Sequence, residues 1–89
     1  MKKQRKGLSC RYDENSGDYV LRLYATDILK RDSYCLTLNS GGFRTNHTKK
    51  CINENLPDGF RVYQEAFKWF VETPTSIKAF YDNMILEVE

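Results

Sequence analysis

Residues 38–53 read LNSGGFRTNHTKKCIN, and this stretch decides the fold because it holds the change from strand to helix. Paired glycines cost backbone entropy inside an element and suit positive φ, so Ser40-Gly41-Gly42 breaks the chain into a turn. Thr45 is placed as an N-cap. Beyond it Thr48, Ile52 and Leu56 recur at i, i+4 and i+8 with Cys51 alongside, a narrow apolar stripe that predicts a helix of about three turns. Lys49, Lys50, Asn53 and Glu54 are expected to face solvent, and Pro57-Asp58-Gly59 ends the helix.

On the N-terminal side of this stretch the apolar period is that of strands. Tyr19, Leu21 and Leu23 alternate with Val20, Arg22 and Tyr24. Residues 28–31 form a second short strand, Asp32-Ser33 a turn, and residues 34–39 a third strand with Leu36 and Leu38 inward. On the C-terminal side, FRVYQ (60–64) and FKWFVE (67–72) alternate around Glu65-Ala66, a hairpin whose turn is not of the favoured Asn-Gly kind. MILEV (84–88) closes the chain, with a short strand at 77–81 before it. The expectation is one α+β domain: an antiparallel sheet of about five or six strands with one helix inserted after the third, βββαβββ in order.

The chain has 89 residues and its hydrophobic fraction is 40%, enough for one core and too little length for a second. The net charge of +2 hides an asymmetry: residues 1–11 hold Lys2, Lys3, Arg5, Lys6 and Arg11 without an acid, while residues 12–89 hold nine basic against twelve acidic residues, a charge of −3. Residues 1–11 are therefore expected to be a basic flexible tail, with the folded domain running from 12 to 89. Cys10, Cys35 and Cys51 are odd in number, widely spaced and accompanied by a single histidine, which suits reduced thiols and neither a disulfide framework nor a zinc set. MKKQRKGLSC lacks the apolar stretch of a signal peptide, and no run approaches the length of a membrane span. No membrane, metal or cofactor role is expected.

Three chemistries remain to be weighed. Free N–H groups at a glycine turn before a helix attract anions, and Arg44, Lys49 and Lys50 add charge, although neither GxxxxGK[ST] nor GxGxxG is present. His47 and Cys51 stand one helical turn apart, but Cys51 sits beside the apolar stripe and no acid or amide is placed to orient the imidazole, so no catalytic role is assigned. Phe60, Tyr63, Phe67, Trp69, Phe70, Phe80 and Tyr81 contain the makings of a base-stacking platform. A domain this small needs most of them inside, which leaves Tyr63, Phe70 and Tyr24 as the expected exposed aromatics.

From about Tyr19 to Val71, through LRLYATDIL, LNSGGFRTNHTKKCIN, LPDGFRVYQ and KWFVE, the chain resembles a family of small bacteriophage proteins. That family shows a Ser/Thr-Gly-Gly-aromatic-Arg-Thr core, then Thr-Lys, then a hydrophobic-Asn pair. Gly41, Gly42, Phe43, Arg44, Thr45, Thr48, Lys49 and Asn53 are the positions carried over, and Lys50 keeps one of the further basic residues. Phe43 stands where the family more often has Trp, and Cys51 departs from its polar or basic choice. The resemblance implies phage origin and action in the host bacterial cytoplasm, and it brings no activity with it.

Binding rather than catalysis is expected of such a domain. The leading expectation is a host-takeover or anti-defence protein, anti-CRISPR-like, that occludes a bacterial host protein such as a nucleoprotein defence complex through the nine residues Gly41, Gly42, Phe43, Arg44, Thr45, Thr48, Lys49, Lys50 and Asn53. The alternative is a nucleic-acid binder using the basic tail and the same helix end. A third is a sponge for a phosphate-bearing signalling nucleotide. An open strand edge would serve a homodimer as readily as a contact with another protein.

Overall fold

The computed structural model describes residues 6–88. Strands β1 (Leu8–Tyr12), β2 (Tyr19–Leu23), β3 (Thr26–Arg31) and β4 (Cys35–Leu38) precede helix α1 (Asn46–Asn53), and β5 (Arg61–Glu65), β6 (Lys68–Glu72), β7 (Ile77–Ala79) and β8 (Met84–Glu87) follow it. The fold is α+β, all pairings are antiparallel, and the order of strands and helix after residue 18 is the one read from the sequence.

Two expectations are corrected. The strands form two sheets rather than one: β1-β2-β3-β4-β8 and β5-β6-β7. The hairpin after the helix carries its own apolar face (Val62, Trp69, Val71), which it buries against the first sheet instead of extending it. Only β8 crosses back, pairing with β4 in the register Leu36 with Leu86 and Leu38 with Met84. Second, the tail does not run to residue 11. Leu8–Tyr12 pair with β2, with Leu8 opposite Leu23 and Tyr12 opposite Tyr19. Lys2, Lys3 and Arg5 of the expected tail lie outside the described residues.

The core follows from the alternation. Leu21, Leu23, Leu29, Leu36, Leu38, Met84 and Leu86 project from the inner face of the five-stranded sheet to meet Cys51 and Ile52 of α1, with Val62, Trp69, Val71 and Phe80. A bulge in β3 lets neighbours share the interior. Leu21 pairs with Leu29 and Arg22 with Asp27, so Ile28 is the extra residue, and Ile28 and Leu29 are both buried.

Helix α1 is shorter than expected, eight residues ending at Asn53. Asparagine side chains stop it. Asn55 donates from Nδ2 to the carbonyl of Cys51 (2.9 Å), and Asn53 turns outward to β5, accepting from Val62 N–H and donating to Val62 C=O, both at 2.8 Å. This two-point amide clamp closes the outer edge of β5 and ties helix to sheet. Thr45 is the N-cap, its Oγ1 accepting from Thr48 N–H at 3.2 Å.

Candidate functional site

The Gly41-Gly42 turn is built as its sequence requires. Both glycines have positive φ, +65° and +83°, and a Cβ on Gly41 would stand 2.5 Å from Thr26 Oγ1. The turn does not hold open donors for an outside anion. Gly41 N–H donates to Asn39 Oδ1 (2.8 Å) and Gly42 N–H to Ser40 Oγ (3.2 Å). Beneath them the Asp82 carboxylate accepts from Ser40 N–H at 2.9 Å and Ser40 Oγ–H at 2.7 Å. Burial pushes the Asp82 carboxyl up, but the Ser40 bonds, the Arg44 charge and the Gly42 N–H together hold it below the ordinary carboxylate value. The donors of Ser40, Gly41 and Gly42 are thus satisfied by Asp82 and by the turn's own side chains.

The basic residues that follow are placed on aromatic rings. The Arg44 guanidinium lies 5.2 Å from the Phe80 ring centroid and Lys49 Nζ lies 5.6 Å from that of Trp69. Phe80 and Trp69 pack edge-on to each other at 5.3 Å. The two cations therefore cap the aromatic edge of the core, and Lys49 also donates to Gln64 Oε1 at 3.2 Å. Lys50 is exposed in the last helical turn, where its charge suits the helix dipole.

The nine expected site residues accordingly separate. Gly41 and Gly42 shape a turn, Thr45 and Thr48 cap the helix, and Asn53, exposed as expected, also clamps β5. Arg44 and Lys49 cover the aromatic pair while remaining at the surface. Phe43 alone is a large apolar side chain standing free, 69% exposed.

Phe43 borders a cleft of about 470 Å³ between the β2–β3 turn and the start of α1, whose walls include Leu23, Tyr24, Ile28, His47 and Thr48. The cleft is mainly apolar, and Tyr24, 62% exposed, forms its opposite rim. Tyr24 is held there by a tight turn: its φ is +53°, its N–H donates to Gly7 C=O at 2.8 Å, and its ring lies so close over Gly7 that no Cβ fits there. Its partner on the helix is His47, ring to ring 6.5 Å. Of the cleft, the sequence pointed to Phe43, Thr45, Thr48 and the exposure of Tyr24, and it singled out His47 for another role; that Leu23 and Ile28, from two strands, meet the start of the helix is set by the tertiary fold.

His47 Nε2 stands 4.0 Å from Cys51 Sγ and 2.9 Å from Lys6 C=O. The thiol is fully buried, and the imidazole ties the chain at Lys6 to the helix. No group of three metal-binding side chains forms among the described residues, and no helix is long and apolar enough to cross a membrane.

The expected stacking platform is mostly occupied by itself. Trp69 and Phe80 are buried, and Tyr63 and Phe70 stack on each other at 5.7 Å with Arg61 4.8 Å above Tyr63. Exposure instead extends to Tyr12, Tyr34, Phe67 and Tyr81, which the alternation did not single out. Of the basic residues near the N-terminus, Arg11 is engaged with Asp27 at 3.4 Å.

No curated protein and no solved structure matches the chain. A family model does, that of the Kyanoviridae Gp96 protein, over residues 2–87. Because that match spans nearly the whole chain, strands, glycine turn, helix and cleft together, the protein belongs to the Kyanoviridae Gp96 family of phage proteins.

Proposed function

We propose that this phage protein acts by binding a bacterial host protein, as a host-takeover or anti-defence inhibitor of the anti-CRISPR-like kind, and that it does so through the cleft between Tyr24 and Phe43. The supporting observation is the pair of exposed aromatic rims on an apolar hollow, with the Arg44 guanidinium next in sequence to Phe43. Aromatic and arginine side chains around a desolvated pocket are the usual anchors of protein interfaces. A leucine, methionine or phenylalanine of the partner would fill the cleft, with an acidic neighbour meeting Arg44. Phage membership supports action inside an infected bacterium, and the filled glycine turn speaks against a phosphate sponge.

Phe43→Ala removes a rim without touching the core, and should weaken partner binding by about 2 kcal/mol or more, the scale of an interface anchor. The test is capture from bacterial lysate by tagged wild type and variant, with and without nuclease and with low-salt and high-salt washes. A protein held by wild type and lost by Phe43→Ala supports the proposal. Recovery of nucleic acid alone, lost at high salt, would overturn it in favour of a nucleic-acid binder using the basic N-terminal residues.

A further inference from the structure

Each sheet ends in exposed strands, and they are not treated alike. The outer edge of β5 is closed by the Asn53 amide on Val62. The β7 edge is only three residues long. β1 directly follows a run rich in Lys and Arg, whose repulsion opposes self-pairing. β8 is four residues long with one acidic residue, Glu87, and among the described residues no side chain caps its outer edge. It ends the five-stranded sheet, and beside it lies a groove of about 560 Å³ that four consecutive residues, Ile85, Leu86, Glu87 and Val88, all line. Consecutive residues point to opposite faces, so it is the backbone edge that faces the groove.

The hydrogen-bond phase of β8 is fixed by Val88 N–H donating to Tyr34 C=O at 2.8 Å. Leu86 and Val88 therefore turn their backbone groups to β4. Ile85 and Glu87 turn theirs to the groove, two N–H and two C=O groups in position to continue the ladder. Ile85 adds an apolar side chain that is 64% exposed.

We infer that this edge pairs with the same edge of a second copy, β8 antiparallel to β8 about a two-fold axis at Leu86, joining the two five-stranded sheets into one. The strand is self-complementary in that register. Leu86 lies opposite Leu86 of the second copy and Met84 opposite Val88, with Met84 and Leu86 already buried within their own copy, while the exposed Ile85 stands opposite Glu87 on the outer face, so no two like charges face each other. Ile85 and Glu87 exchange the new backbone bonds. None of the cleft residues lies on β8, so this pairing stands apart from the proposed host contact, and its failure would leave that contact untouched.

The test is sedimentation of the full chain over a wide concentration range, together with amide hydrogen exchange. The wild type should form a dimer of twice the monomer mass, with the Ile85 and Glu87 amides protected in the dimer and open on dilution. Ile85→Lys, which places a charge on the edge while leaving the β4 ladder intact, should weaken dimerisation at least about tenfold with unchanged circular dichroism. Ile85→Pro removes one outward N–H and should do the same. A wild type that stays monomeric throughout overturns the inference and leaves the edge to a strand of another protein. A dimer indifferent to both variants also overturns it.

Discussion

At the scale of single residues, the folded state depends on a few polar side chains that complete backbone valences. Asp82 is the clearest case. Ser40 is buried, and both its N–H and its hydroxyl donate to that one carboxylate, so Asp82→Ala strands two donors and should cost about 1–3 kcal/mol in urea unfolding at neutral pH. The pH dependence has a definite sign. The folded-state pKa of Asp82 is depressed, so its contribution is present above the ordinary value of 3.8 and is lost as pH falls through the lowered one. The difference between wild type and Asp82→Ala should therefore shrink below pH 3.8; a constant difference would contradict the role given to the charge. Asn53→Ala, which removes both bonds to Val62, should likewise destabilise by about 1–3 kcal/mol. The glycine turn and the Thr45 cap were legible because φ > 0 and capping are demands of single residues. That Asp82, forty-two positions from Ser40, would fill the turn was not, since no local pattern carries that pairing.

At the scale of elements, period-two alternation located β2, β4, β5, β6 and β8 because each has one face in the core. β1 is less legible because its short alternation, Leu8, Cys10 and Tyr12, directly follows a run of basic residues that reads as a tail, and as an edge strand it leaves four of its five residues exposed. The helix was overextended because Leu56 continues the stripe in sequence, while Asn53 and Asn55 use their amides on β5 and on the Cys51 carbonyl. The β5–β6 turn holds two adjacent non-glycine residues at positive φ. Ala66 and Phe67 have φ of +51° and +66°, both left-handed in a two-residue loop, where glycine and asparagine are the residues that fit. Replacing Ala66-Phe67 with Asn-Gly should stabilise the hairpin by about 1–2 kcal/mol, read as a higher urea midpoint with an unchanged slope. No gain would show that the backbone there is relaxed in solution. Phe67 itself is 94% exposed, so its loss removes no core contact.

At the scale of the whole molecule, two sheets and a short helix enclose one core and leave the proposed binding features on its rim. The cleft lies where the β2–β3 turn meets the start of α1, and the open edge lies on β8. Sheet membership was hidden from the sequence for the same reason as the cleft: alternation says that a strand has an inner face and not which strand it joins. The βββαβββ order is compatible with one sheet or two, and only the long-range pairing of β8 with β4 separates them. The Arg44 and Lys49 side chains belong to this scale as well. Both rest on the buried Phe80–Trp69 pair, so a double change to Glu should lower stability as well as binding, by about 0.5–1 kcal/mol for each lost cation–π contact. Phe43→Ala is the cleaner probe, since the ring is exposed and its removal should leave the unfolding midpoint where it is. The most direct measurement is therefore the paired capture from bacterial lysate by wild type and Phe43→Ala, each with and without nuclease and washed at low and high salt. A host protein retained by the first and absent from the second is the expected result; equal capture by both, or nucleic acid as the sole ligand, would contradict binding through the Tyr24–Phe43 cleft.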